Sequence, residues 1–242
     1  SFGSLESGDS ITDPSSSDSD VLTGRFDLSN ISNGTSVAPS VENVEEIRIT
    51  GLGADDASND QVTYNASSTT NVEKIIADGN TGGSAGQGGT DVTNVSTDVA
   101  FGIRGGDGNA NHEVAYEGTS GGGQSATVEF TNQGQANSLE IAGVETLNIS
   151  AEGSKNDLTG LTADDTQTID IGGSGDLTID FESSVTSGPN TDVSSLTTLD
   201  ASDATGNVTL GDPSNTVADS VTTLLGGSGD DTIHLTNSNI AS

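Results

Sequence analysis

Residues 144–149 read Val-Glu-Thr-Leu-Asn-Ile, and the same grammar returns along the chain. An apolar residue is followed by two others, then Leu or Ile, one more residue, and a small or apolar one. The pattern is VEEIRI at 44–49, VEKIIA at 72–77, LTTLDA at 196–201 and VTTLLG at 221–226; in TQTIDI at 166–171 a Thr takes the first place. The spacing between copies, 20–30 residues in the C-terminal half, is that of a repeat whose units stack. Several copies are followed by a polar turn and a second short alternating stretch: NDQVTYN at 59–65, GDLTIDF at 175–181, GNVTLGD at 206–212 and GDDTIHL at 229–235. Each unit therefore reads as strand, tight Gly/Asp/Asn turn, strand.

The expected fold is all-β: a parallel β-solenoid or β-roll of stacked rungs with Gly-rich loops. A β-sandwich of hairpins is the alternative that also yields many short strands. Helical spacing is confined to residues 41–47, enough for a turn or two. Residues 78–91 and 105–124 are rich in Gly and poor in apolar residues, and read as long loops or an inserted lobe. Residues 13–20, DPSSSDSD, read as a flexible turn or linker. Two regions are expected, an N-terminal one over 1–134 containing those loops and a more regular one over 135–242.

Of 242 residues, 37 are acidic and 5 basic, a formal net charge of −32. Nucleic acid, which requires a basic patch, is excluded as a partner on this ground, and an anionic membrane surface is disfavoured. Divalent cations are the natural counter-charge. Leu, Ile, Val and Phe total 51 residues, about 21% of the chain, enough for a thin core. No cysteine is present, so disulfide and thiol chemistry are absent. No apolar run approaches the ~20 residues of a membrane span, so membrane insertion is not expected. A first residue of Ser suggests a processed chain or a fragment of a longer one.

The stretch GGSGDDTIH at 226–234 fits the nonapeptide G-G-x-G-x-D-x-U-x at every fixed position, with Gly226, Gly227, Gly229, Asp231 and Ile233 in the defining places. Glycines allow a sharp bend that aims carbonyl oxygens at one point. Asp231 adds a hard carboxylate oxygen, and calcium takes six to eight oxygens at ~2.3–2.6 Å. One turn cannot complete that shell, so the ion would be shared between rungs. GGSGDLTID at 172–180 keeps Gly172, Gly173 and Gly175 but has Leu177 in place of the acid, with Asp176 beside it; GGDGNANHE at 105–113 has Ala110 there and Asp107 nearby. Strand alternation sends Asp230 and Asp176 to the opposite side from their successors. Further acids fall at turns: Asp55, Asp56, Asp164, Asp165, Asp200, Asp203 and Asp212. Each is a candidate calcium ligand, and each is equally explained by Asx-turn chemistry.

Catalytic readings find little support. His112 and His234 are the two histidines, no G-x-S-x-G elbow occurs, and any carboxylate pair for glycoside cleavage is uninformative among 37 acids. Two Tyr, five Phe and no Trp supply few platforms for sugars. The chain is expected not to be an enzyme.

GGSGDDTIH resembles the nonapeptide of the RTX calcium-binding secreted proteins. SSLTTLDASDATGNVTL at 194–210, VENVEEIRI at 41–49 and IAGVETLNI at 141–149 resemble strands of RTX-type surface-layer proteins of Gram-negative bacteria. The resemblance implies calcium-dependent folding outside the cell, a cell-surface location, export by a type I pathway if the chain continues past residue 242, and assembly of copies into a lattice or sheath, with cell-surface polysaccharide as a further class of partner. Two other functions fit the residues: a calcium-binding adhesin or biofilm-matrix module, and the calcium-binding module of a secreted polysaccharide-acting enzyme. A halophilic protein whose acidity serves solubility is a third reading.

Overall fold

In the hexapeptide grammar the fourth and sixth residues lie two apart, so on an extended backbone they share a face. The structure is a computed structural model that describes residues 5–15, 18–28, 34–52, 61–81, 88–106, 110–119, 121–133, 137–180, 193–211, 217 and 220–235. In it the fourth-position residues Ile47, Ile75, Leu147, Ile169 and Leu199 are fully buried. The first-position residues Val44, Val72, Val144, Leu196 and Val221 are buried at the bend before each strand. Thr166 is tolerated in that place because its Oγ1 donates to the Val144 carbonyl at 2.9 Å.

The described residues contain no helix. The first three rungs each carry three strands: β1 (Ser10–Thr12), β2 (Val21–Asp27) and β3 (Thr35–Val37); β4 (Ser40–Glu42), β5 (Glu46–Leu52) and β6 (Val62–Asn65); β7 (Thr69–Thr70), β8 (Lys74–Asp78) and β9 (Thr90–Val95). Later rungs carry two: β10 (Ala100–Arg104) and β11 (Asn111–Tyr116), β12 (Ser125–Thr131) and β13 (Asn137–Ala142), β14 (Thr146–Glu152) and β15 (Lys155–Thr162). The series ends with β16 (Thr168–Gly173) and β17 (Asp176–Ile179), β18 (Thr198–Ala204) and β19 (Val208–Leu210), and β20 (Thr223–Leu225) and β21 (Thr232–Ile233).

One nine-stranded sheet runs β2-β5-β8-β10-β12-β14-β16-β18-β20 and the other β3-β6-β9-β11-β13-β15-β17-β19-β21, while β1-β4-β7 forms a short third face. Every strand pairing is parallel and joins consecutive rungs. This is a β-solenoid, and the all-parallel pairing excludes a sandwich of hairpins, whose neighbours run antiparallel. The thin core is a pair of facing ladders. On one sheet Ile47, Ile75, Phe101, Val128, Ile149 and Ile171 stack in register; on the other Tyr64, Val92, Val114 and Ile141 do so. Each such aliphatic side chain contributes about 1.5–3 kcal/mol on burial, set against the entropy of ordering the rung.

Two devices make the bends. Asn43 and Asn71, which precede Val44 and Val72, adopt left-handed backbone (φ 57° and 54°), as does Gly143 before Val144 (φ 80°). Asn and Gly are the residues that enter this region at little cost. Asn71 Nδ2 also donates to Asn43 Oδ1 at 2.8 Å, joining two rungs at the corner. The Glu after the motif valine then reaches back one rung: Glu45 Oε2 accepts from the Asp20 amide at 2.8 Å, and Glu145 Oε2 from the Gln124 amide at 2.7 Å. The second device is close backbone approach. A Cβ on Gly206 would lie 2.3 Å from the Gly175 carbonyl oxygen, and one on Gly229 would lie 2.4 Å from that of Gly206.

The structure departs from the sequence reading in three places. The expected helical turn at 41–47 is instead the end of β4, the Asn43 corner and the start of β5. The stretch 105–124 is not all loop, because Asn111–Tyr116 forms β11 with His112, Val114 and Tyr116 buried; the alternation HEVAY was overshadowed by its glycine-rich flanks. In 78–91, Asp78 ends β8 and Thr90 opens β9, with 82–87 outside the described residues. Both long sheets pass residue 135 without a change of strand order.

Because Gly206 sits between the backbones of two neighbouring rungs, Gly206→Ala is expected to destabilise the fold by about 1–3 kcal/mol in a denaturant titration. Gly122→Ala, where a Cβ would meet nothing within 4 Å, is expected to change it by less than about 0.5 kcal/mol.

Candidate cation site

The nonapeptide turn links β20 to β21 on the last described rung, and the rungs before it show what each of its positions does. Gly175, Gly206 and Gly229 stack directly. Asp176, Asn207 and Asp230 form the next column: the Asn207 amide donates to Asp176 Oδ1 at 3.0 Å and the Asp230 amide to Asn207 Oδ1 at 2.8 Å. Asp176 and Asp230 are exposed. The following column runs Leu177, Val208, Asp231, with Leu177 and Val208 buried in the core. The acid of the nonapeptide thus occupies an inward position.

Asp231 is half-buried there. Its Oδ2 accepts from the Gly227 amide at 2.8 Å and its Oδ1 from the Val208 amide at 3.0 Å. One carboxylate closes its own turn and clasps the preceding rung. Gly226, Gly227 and Gly229 are not in left-handed backbone; Gly227 and Gly229 are needed for close approach, since a Cβ on Gly227 would lie 2.4 Å from the Ala204 carbonyl oxygen and one on Gly229 2.4 Å from that of Gly206, whereas a Cβ on Gly226 would meet only the Asp231 carboxylate at 3.1 Å. Gly173 does turn left-handed (φ 107°), and a Cβ there would meet the Ala151 carbonyl oxygen at 2.1 Å.

A second group forms on the outer face of the β2-to-β20 sheet. Asn148 pairs with Asp170, Asp170 with Asp200, and Gly172 with Asp203. These residues line an open depression of about 330 Å³. Burial, then the charges of Asp200 and Asp203, raise the Asp170 carboxyl above the usual range. Asp200 is lowered by hydrogen bonds from Ser202, whose amide donates to Oδ1 at 2.9 Å. Asp170 was not singled out in the sequence, although it occupies the fifth place of TQTIDI as Asp200 does of LTTLDA. Aligning the repeats position by position would have found it.

Two further groups lie outside the sequence candidates. Asp13, Asp18 and Asp20 bring carboxylate oxygens within 4.8 Å of one another. Asp20 is raised chiefly by the charge of Asp13, then by burial and Asp18. On the outer face of the second sheet, Asp91 pairs with Glu113 and Glu113 with Glu140, one carboxylate per rung. Burial, followed by the charges of Glu113 and Glu140, pushes Asp91 up to about 7. Its Oδ1 is buried with no hydrogen-bond partner among the described residues. This column was hidden because β11 had been read as loop.

The remaining sequence candidates are dispersed. Asp164 and Asp165 are exposed at the turn after β15, where Asp165 Oδ2 accepts from the Gly143 amide at 3.2 Å. Asp55, Asp56, Asp107 and Asp212 lie outside the described residues. Four of the five basic residues are already paired with carboxylates: Arg48 with Glu46, Lys74 with Glu129, Arg104 with Asp78 and Lys155 with Asp157. Of the histidines, His112 is buried and His234 half-buried.

Ionising Asp91 opposes folding, so its unfavourable contribution is absent below pH 3.8, builds as pH rises from there to about 7, and is complete above that. Asp91→Asn is therefore expected to raise the melting temperature by a few degrees at pH 8 and to leave it unchanged at pH 3.5. Equal shifts at both pH values would remove charge as the cause. No known protein family, curated protein or solved structure matches this chain.

Proposed function

We propose that this protein is a structural, calcium-stabilised solenoid of the RTX-type surface-layer kind, non-catalytic, exported and assembled outside the cell from copies of itself. The observation that carries the reading is the stacking of carboxylate on carboxylate, rung after rung, with almost every basic side chain already engaged. Strands in a sheet stand ~4.8 Å apart, so like charges in register repel at close range. A divalent ion seated among Asp170, Asp200 and Asp203 turns that repulsion into attraction between two rungs, and one among Asp13, Asp18 and Asp20 does the same for the segment joining β1 to β2 within the first rung. Calcium suits these sites because carboxylates, side-chain amides and carbonyls are hard oxygen donors with flexible geometry. Each site contributes about 1.4–2.7 kcal/mol when calcium is ten to one hundred times its Kd. At Kd values of ~10⁻⁴–10⁻³ M, such sites fill outside cells and stay empty in a cytosol. Asp231 belongs to this scheme as a rung clasp, with its remaining lone pairs free for an ion shared with a neighbouring turn.

The test is thermal unfolding followed by circular dichroism in chelator, in millimolar calcium, in magnesium and in sodium chloride of matched ionic strength. Calcium is expected to raise the midpoint well beyond the other salts; equal stabilisation by sodium chloride would favour the halophilic reading and sink this one. Isothermal titration then places the ion. Asp170→Asn with Asp203→Asn is expected to lower the number of bound calcium ions. Asp231→Ala is expected to lower stability even in chelator, since two backbone amides lose their acceptor, while Asp230→Ala should do much less.

A further inference from the structure

A chain of buried polar groups crosses three rungs at one corner of the solenoid. The Gly51 amide donates to Asn80 Oδ1 at 3.1 Å, Asn80 Nδ2 donates to Thr90 Oγ1 at 2.7 Å, and the Thr90 amide donates to His112 Nδ1 at 3.1 Å. Asn80, Thr90 and His112 are all buried, His112 at 3% exposure. The approach is tight as well, since a Cβ on Gly89 would fall 1.5 Å from the Asn111 carbonyl oxygen.

The acceptor role fixes the imidazole. Nδ1 must be bare, so the ring proton is on Nε2, which is buried without a partner among the described residues. The Phe101 ring lies 6.2 Å away, tilted by 57°, and Leu139 is the next residue in the ladder. Among the charged groups on the strands around it, Asp91, Glu113 and Glu140 face outward, while Arg104 on β10 is held by Asp78 on β8. Among the described residues, His112 Nε2 has no hydrogen-bond partner and no carboxylate is paired with the ring.

We propose that His112 is an acid-sensitive latch: a proton taken up at Nδ1 sets two donors face to face, frees the Thr90 amide, and opens the corner between β8, β9 and β11 while the later rungs stay closed. Burial holds the ring neutral down to about pH 4, so the latch is shut at neutral pH and released in acid. The unfolded chain takes up this proton near 6.5, so the stability that neutral His112 confers is complete above that pH and is lost as pH falls toward about 4. The outward carboxylates move the opposite way, because their mutual repulsion fades as they protonate. Asp91 and Glu113 sit on β9 and β11 beside Thr90 and His112, so the two effects oppose each other at this corner and the latch is read at the Thr90 amide itself.

Hydrogen exchange on the full chain, with rates corrected for the intrinsic effect of pH, tests this directly. Between pH 6.5 and 4 the Thr90 amide is expected to lose protection at least tenfold, while the amides of Leu147 and Ile169 keep theirs. His112→Asn offers an acceptor that cannot be protonated and is expected to flatten the pH dependence at Thr90. If that variant does not fold, the imidazole resonances of the wild-type protein decide the matter, with a His112 midpoint at least one unit below 6.5 expected. Unchanged Thr90 protection in acid, loss of protection throughout the stack together, or a midpoint near 6.5 would overturn the proposal.

Discussion

In a parallel stack each residue stands on its counterpart one rung away, at ~4.8 Å, and this constraint governs the rest of the molecule. Where the position faces inward, like on like is favourable, and Ile47, Ile75, Phe101, Val128, Ile149 and Ile171 make a continuous apolar ladder. Where it faces outward and carries a carboxylate, the same register concentrates charge, as in Asp91, Glu113 and Glu140. The geometry that builds the core is the geometry that creates the electrostatic load.

The proportion of the structure visible in the sequence follows from this. The hexapeptides at 44–49, 72–77, 144–149, 166–171, 196–201 and 221–226 mark six strands of one sheet, because an apolar pair two residues apart survives any change in the turns between. The rungs built on β10, β11 and β12 were not legible. In FGIR a glycine weakens the alternation, and HEVAY places a histidine where the core expects an aliphatic residue. The candidate sites were legible in part. Asp200 and Asp203 were visible as acids at a turn, and Asp170 joins them once TQTIDI is laid on LTTLDA, the match that the register of β16 against β18 makes physical. The trio of Asp13, Asp18 and Asp20 was hidden in a stretch whose composition reads as a linker.

The nonapeptide shows how one sequence position can serve two purposes. Its acid stands in the column of Leu177 and Val208, so in earlier rungs the place belongs to the core. At the last described rung a carboxylate takes it, and the two amides it accepts, those of Gly227 and Val208, come from different rungs. The substitution of an acid for an apolar residue is accommodated by exchanging packing for hydrogen bonds to groups that would otherwise lack an acceptor.

Contacts confined to adjacent rungs also have a mechanical meaning. Each strand bonds only to the rung before and the rung after it, so under a load along the solenoid axis the rung interfaces stand in series and give way one at a time. Under tension such an object yields in steps, releasing the contour length of one repeat at each event, and it recovers by rewinding onto the intact remainder. Side-on, all rungs share the load in parallel. The molecule is therefore soft and dissipative in one direction and stiff in the other, a property written into the register of its strands.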